Sequence, residues 1–353
     1  RSTQGRSSAA SDVYKRQEVV NTVVENMSPT LRASIPQATA TNIQDVGKPI
    51  LQWSELANAF YTTLFNLIGM TYVEYRSYKN PLSMFKRGDS ILGSDVREIA
   101  INLQTEKDYD VSGSRLLTNE APDLKVVYYR VNRQKDFEVT NIESELQMAF
   151  SSWDNFGTLV SRIVDNLYRS NEVAEYEWTK GTISTAINDG HLTTTQLAMP
   201  TDSATANAFV KAVKTLSDKF TFFSTEYNAY NKMATSDTKK FKTFTPKEQQ
   251  VLIATPEVMA SIDVDSLATA FNLSKVEFMG RTIVVDDFGG TEEAPITAYA
   301  MLCDSAFIKI WDKTKYFNTF VNPANMSAKH FFHVWQTYGY SPFANAVLFK
   351  PAQ

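Results

Sequence analysis

The residue types that chemistry needs occur in a few small groups in this sequence. His330 and His333 form an H-x-x-H, and Asp286-Asp287 running into Gly289-Gly290 offers two carboxylates to a hard cation. Cys303 is the only thiol. Each group has a plainer reading. In a strand, odd spacing sends the two imidazoles to opposite faces, which disfavours a shared metal. An acidic pair at a strand end before a glycine turn is typically a solvated turn. Cys303 follows Met301-Leu302 in an apolar run and reads as a small buried hydrophobe. Gly88 and Gly93 lack the Lys-Ser/Thr that completes a phosphate loop, and the chain has neither G-x-S-x-G nor a dinucleotide fingerprint. Lys239, Lys240, Lys242 and Lys247, interleaved with Phe241 and Phe244, carry the charges and rings of a nucleic-acid contact; a solvated rim is the simpler reading. Asn272-Leu273-Ser274 and Asn325-Met326-Ser327 match glycosylation acceptors, but no secretory signal accompanies them. No catalytic, cofactor or metal site is expected. A metal-dependent hydrolase using Asp286, Asp287 and a histidine is the distant alternative.

The elements that would hold these groups belong to a chain of 353 residues, 43% hydrophobic, with ample apolar material for a core. Its net charge of −4 gives no overall basic field for gripping nucleic acid, although a protein lining a container of DNA can have this charge. One cysteine permits no intrachain disulfide and suits a reducing cytosol. No apolar run reaches the eighteen or so residues of a membrane span. Arg1 to Gln17 has no periodicity and reads as an added or unstructured arm.

Glu18 to Asn26 carries Val19, Val20, Val23 and Val24 at helical spacing, and a stretch punctuated by Pro29 and Pro36 runs to Gly47. An arm outside the core is expected there. Trp53, Leu56, Ala57, Phe60, Leu64, Leu67 and Ile68 predict an amphipathic helix stopped by Gly69. Tyr75 to Leu124 is charged and turn-rich, with short alternating pieces such as Glu98-Ile99-Ala100-Ile101, and is expected to bury little and project outward. Leu124 to Val131 is β-like. Phe156, Leu159, Val160, Ile163, Val164 and Leu167 lay one apolar stripe on a helix of about thirty residues, which Gly190 ends. A polar segment, Thr193 to Thr205, leads to a helix over Ala206 to Lys219, and Phe220 to Pro246 shows no pattern. Val251 to Ala254 is a strand, Thr255 an N-cap and Pro256 a first helical residue. A helical piece with Leu267 and Phe271 and a strand over Thr282 to Val285 complete a small α/β lobe. Lys329 to Thr337 reads as one long strand, and Pro342 turns it into the apolar run Phe343 to Phe349.

That C-terminal text, His333-Val334-Trp335-Gln336-Thr337 with Phe343-Ala344-Asn345-Ala346-Val347, closely resembles the major capsid proteins of short-tailed, phi-29-like bacteriophages. The resemblance covers nearly everything from Glu18 onward. It includes Ile35 to Ala40, Asn80-Pro81-Leu82 with Phe85-Lys86 and Gly88, Tyr109-Asp110, and Trp153 to Phe156. It continues through Glu172 to Glu177, Asp263-Val264-Asp265 with Leu267-Ala268, and Ala270 to Asn272. It implies an α+β chain with the tailed-phage major capsid fold (HK-97-like). The implied parts are an N-terminal arm (1–50) and a peripheral domain (51–74 and 125–219) with a spine helix (155–189). An extended loop (75–124), an axial domain (220–315), a long peripheral strand (316–340) and a return to the axial domain (341–353) complete it. Some relatives carry an appended immunoglobulin-like domain, whereas this sequence stops at Gln353.

The implied function is structural: self-assembly of pentamers and hexamers into an icosahedral shell around packaged double-stranded DNA. Scaffolding and portal proteins are the expected partners, with assembly in the host cytoplasm and residence in the virion. The expected inter-subunit contacts are Lys86, Arg87, Arg97, Lys107 and Arg115. An encapsulin-like compartment of the same fold is the alternative, told apart by cargo peptide in place of DNA.

Overall fold

The computed structural model describes residues 16–71, 80–90, 95–104, 106–109, 111–113, 115, 121–142, 148–234, 240–262, 282–290, 295–322 and 327–352, with the side chains of 65–71, 141–142, 160–165, 321–322 and 328 outside that description. The expected helical piece at Leu267 and Phe271, Gly93, Lys239, both glycosylation motifs' asparagines, and the side chains of Val160, Ile163 and Val164 lie outside the described residues. The chain divides into two compact units: Arg1–Lys79, Arg133–Ala174 and Thr314–Trp335 form one, and Asn80–Asn132, Glu175–Lys313 and Gln336–Gln353 the other.

Strands follow in chain order: β1 (Lys86–Asp89), β2 (Val96–Ile101), β3 (Leu124–Tyr129), β4 (Arg133–Ile142), β5 (Thr193–Gln196) and β6 (Gln250–Ala254). After them come β7 (Thr282–Val284), β8 (Ala300–Asp304), β9 (Ile308–Asn322), β10 (Ser327–Tyr340) and β11 (Ala346–Lys350). They form sheets of order β1-β9-β10-β4, β5-β11-β8-β6-β7 and β2-β3.

In the first unit, a helix over residues 16–25 buries Val20, Val23 and Val24 in one core with Leu56, Phe60, Phe156 and Leu167. This corrects the expectation of a core-free arm and of an unstructured Arg16 and Gln17. The extended stretch is pinned where the Asn21 side chain satisfies both peptide groups of Ala38, accepting at 2.9 Å and donating at 3.2 Å. A second correction is a helix at Ile43–Gln52, hidden in the sequence by Gly47 and Pro49. A Cβ at Gly47 would lie 2.6 Å from Phe150, so only glycine lets that ring close on the helix. The next helix runs Ser54–Thr71, past the expected stop at Gly69, and Trp53 is exposed outside it. β4 and the 314–335 portions of β9 and β10 add an aromatic stack, Phe317 on Phe332 at 4.4 Å and Tyr168 on Phe332 at 5.2 Å.

The long helix spans Trp153–Asn188, 36 residues, with Gly190 at φ +74° just beyond it. At 1.5 Å per residue this is about 54 Å of unbroken helix. Phe156, Leu159 and Leu167 enter the first unit's core; Tyr176, Ile183, Ala186 and Ile187 enter a core of the second.

In the second unit, β6 and β8 are buried at every position, as expected of strands covered on both faces. Val251, Ile253, Met301, Cys303 and Leu348 join the core that receives the long helix. The alternate residues Leu252, Ala254, Leu302, Val347 and Phe349 join a core with Phe209, Val213 and Phe220 of the Ser203–Phe220 helix. The lobe is larger than the sequence suggests, because β5, from a stretch read only as polar, pairs in parallel with β11. Thr255 and Pro256 take their expected places at the start of the Pro256–Ser261 helix, although the Thr255 hydroxyl makes no cap bond.

Because Leu167 is buried and Asn166 is exposed on the same helix, Leu167→Ala should cost about 2–5 kcal/mol of unfolding free energy and Asn166→Ala within about 0.5 kcal/mol. Denaturant unfolding monitored by circular dichroism separates the two. His330 is fully buried, with Nδ1 at 3.1 Å from Thr319 Oγ1 and its ring 5.6 Å from that of Tyr61. Burial lowers its pKa to about 4. The unfolded chain therefore takes up a proton near pH 6.5 that the folded chain refuses until about pH 4. Stability should fall by roughly 2 kcal/mol between pH 7 and pH 5 from this group alone, and His330→Gln should flatten that part of the unfolding-versus-pH curve.

Candidate assembly surface

The expected chemical groups are each engaged structurally. Lys180 Nζ lies 2.9 Å from Asp286 and 3.5 Å from Asp287, so the cation beside that acidic pair is a lysine ammonium. Tyr176 donates its hydroxyl to Asp286. Burial alone would raise the Asp286 pKa, but the Tyr176 and Lys180 hydrogen bonds outweigh it and hold the carboxyl below its ordinary range. His330 is buried while His333 is half-buried with its ring stacked on Phe331, so the two do not converge. Cys303 is buried, and burial pushes its thiol pKa up, away from the thiolate. In the basic–aromatic stretch Phe241 is buried, Phe244 is exposed and Lys247 pairs with Asp218 at 2.7 Å. Among the described residues no group of three or more His, Cys, Asp or Glu is placed to hold a metal, and no helix is long and apolar enough to cross a membrane.

The distinctive surface is the β2–β3 hairpin. Its antiparallel register pairs Arg97 with Tyr128, Ile99 with Val126 and Ile101 with Leu124 on one face. Val96 faces Tyr129, Glu98 faces Val127 and Ala100 faces Lys125 on the other. The half-buried face is mixed: Val96, Ala100, Val127 and Tyr129 share it with Glu98 and Lys125. The exposed face is also largely apolar, with Arg97 as its charged residue: Ile99 is 48% exposed, Ile101 65%, Leu124 50%, Val126 42% and Tyr128 60%. A sheet face left to water ordinarily takes the polar residues. Here both faces carry apolar residues, and the outer one leaves an apolar strip exposed.

The inner face fixes the hairpin within the second unit. Tyr129 donates to Glu98 at 2.5 Å and packs its ring 5.2 Å from Trp311. Glu98 also takes Lys309 as an ion-pair partner and accepts from Ser341 at 2.9 Å. The Glu98 carboxylate is thereby satisfied beneath the strip.

Of the expected contact residues, Arg97 lies in the exposed strip opposite Tyr128. Lys107 and Arg115 are exposed, and Arg115 donates to the Asp108 carbonyl. Arg87 is exposed and donates to the Ser305 carbonyl. Lys86 is placed differently. Its Nζ sits 2.9 Å from Asp312 and 3.2 Å from Glu175, and Gln336 Nε2 bridges the same two carboxylates at 2.6 and 2.7 Å. Burial alone would lower the Lys86 pKa, but the Glu175 and Asp312 charges outweigh it and hold it above the ordinary lysine range. The ammonium is thus committed within its own chain, tying β1 to β9 and the long helix. Sequence reasoning selected charges in this segment and passed over the apolar residues between them. The alternation at Glu98 to Ile101 was the available signal.

The Lys86 cluster makes a clear expectation. Lys86→Met leaves two carboxylates facing each other and should cost roughly 3 kcal/mol. Adding Glu175→Gln should recover part of the loss, as read from a double-mutant cycle of unfolding free energies.

A family model for the Phi29-like phage major capsid protein matches residues 20–350. The major capsid protein of Bacillus phage PZA is 32% identical over 335 residues, covering 94% of this chain and 72% of that protein. That of Streptococcus phage Cp-1 is 26% identical, covering 90% and 89%. The capsid structure of Staphylococcus phage Andhra aligns with a TM-score of 0.63 at 15% identity over 79% of this chain and 86% of that one, a likeness of fold. With a match over almost its whole length and a fold shared with tailed-phage capsids, this chain belongs to the Phi29-like phage major capsid protein family.

Proposed function

We propose that the chain is the shell subunit of a phage head. Many copies close into an icosahedral container for packaged double-stranded DNA, and each copy lays the exposed hairpin strip on a neighbour. The carrying observation is the apolar outer face of β2 and β3, which places Ile99, Ile101, Leu124, Val126 and Tyr128 in water. In this reading the hairpin belongs to the extended loop, Trp153–Asn188 is the spine helix, and the unit holding the five-stranded sheet supplies the axial domain.

Arg97, Lys107 and Arg115 form the charged surroundings of the strip, setting register and orientation more than affinity. Arg87 contributes through its exposed guanidinium. Individually modest contacts suffice because closure makes each subunit multivalent. Portal and scaffolding proteins are the further partners of this reading, and the virion is where the assembled protein resides. A net charge of −4 supports a wall that confines DNA without gripping it. The buried, unpaired Cys303 supports assembly in the reducing host cytoplasm.

The test replaces the exposed cross-strand pair by an opposite-charge pair, Ile99→Glu with Val126→Lys, which keeps the hairpin compatible with its own register. The expected result, by negative-stain microscopy and sedimentation, is folded protein that no longer makes closed particles. Normal particles at wild-type yield would sink the assignment of this face.

A further inference from the structure

A second apolar feature lies beside the hairpin strip. Phe222, Phe223 and Phe244 are 71%, 52% and 47% exposed, and the rings of Phe223 and Phe244 pack 4.6 Å apart. Together they put roughly 300 Å² of aromatic surface into water, the scale at which an exposed patch marks a contact site. Phe223 and Phe244 line a cleft of about 350 Å³ with Ile101, Leu103 and Lys242. Ile101 also belongs to the outward face of β2, so strip and cleft are continuous.

The segment presenting these rings has little regular structure, yet it is held from beneath by buried amides and hydroxyls. Asn231 donates to the carbonyls of Thr225 and Phe241 at 2.8 and 2.7 Å and accepts from the Phe241 N–H at 3.0 Å. Asn228 donates to Thr243 at 3.0 Å, and Thr243 donates to Asn345 at 2.5 Å. Asn345 donates to Thr245 at 3.2 Å, and Thr245 donates to Asp304 at 2.8 Å. The backbones of Ser224 and Thr243 exchange two hydrogen bonds of 2.9 Å. A network of this kind fixes one backbone conformation. Rings displayed on a fixed backbone lose little entropy when covered, and clustered aromatics are what the centre of an interface is made from.

We propose that Phe222, Phe223 and Phe244 form a second contact between copies of this chain, the occupant being the apolar surface of another copy. The inference rests on the shell reading. Continuity through Ile101 and the extent of surface both point to that occupant. Patch and strip together approach the ~800 Å² that one partner contributes to a standard protein–protein interface, and far exceed what a small ligand covers.

The test uses the single native cysteine. Cys303 is buried, so full-length Phe222→Cys carries one accessible thiol, whose reaction with a maleimide is timed in free subunits and in purified particles. The expected rate falls at least tenfold on assembly. A Phe223→Lys variant should melt within a few degrees of wild type and need at least tenfold more protein to form particles. Particles of the Phe222→Cys variant whose introduced thiol reacts as fast as the free subunit's, or Phe223→Lys particles at the wild-type concentration, would overturn the contact while leaving the shell reading intact. A wild-type chain that stays monomeric at every concentration, with scaffolding protein added as well as without it, would sink both.

Discussion

One helix has to satisfy two cores. Trp153–Asn188 lays Phe156, Leu159 and Leu167 into the first unit and Tyr176, Ile183 and Ile187 into the second. Between these stripes its buried residues are polar, Asn171, Glu172 and Glu175, and Thr179 joins them one turn further on. Apolar packing could cover them only at a desolvation cost, so specific partners are required. Asn171 accepts from the fully buried Arg133 at 3.0 Å, and Glu175 is bridged to β1, β9 and β10 through Lys86 and Gln336. The middle of the helix is thereby indexed by charge and hydrogen bonding while its ends are held by packing. A slide along the helix axis would break both at once.

That frame also engages the charged groups of the second unit. Lys180, Asp286 and Tyr176 share a cluster that ties the second half of the helix to the turn after β7, and Lys86 ties it to β1. In each case the charges neutralise one another inside the chain. The outer hairpin face and Phe222, Phe223 and Phe244 add displayed apolar surface to the exposed charges of Arg87, Arg97, Lys107 and Arg115. Displayed hydrophobes of this extent mark a surface suited to protein–protein contact.

The sequence discloses the periodic parts of this fold. The stripe at Phe156 to Leu167, the β6 run and the terminal strand are visible because one face, or both, is uniformly apolar over many residues. Three things stay hidden for physical reasons. The Ile43–Gln52 helix contains Gly47 and Pro49, and its glycine is explained only by Phe150, distant in sequence. β5 is entirely polar and becomes a strand through its partner β11. The described stretches 220–234 and 240–246 owe their conformation to buried side-chain hydrogen bonds that have no period. The assembly surface is half legible. Alternation at Glu98 to Ile101 announces a strand, but which face meets its own chain depends on Lys309, Ser341 and Tyr129, brought there by tertiary structure. The same limit misplaces Lys86, whose partners Glu175 and Asp312 lie far along the chain.

The hairpin has a mechanical consequence. A sheet of only two strands is weak on its own, and this one is held at both ends, where Tyr129 and Glu98 meet Lys309 and Ser341 and where Asn102 donates to the Lys240 carbonyl and Lys125 lies over the Tyr230 ring. In the proposed shell, rings of five and rings of six would present neighbours at different angles, and a subunit serving both would have to absorb the difference somewhere. A two-stranded ribbon is the thinnest sheet of the second unit, so in that reading it is the element whose bending would let one sequence tile a curved surface without a second fold.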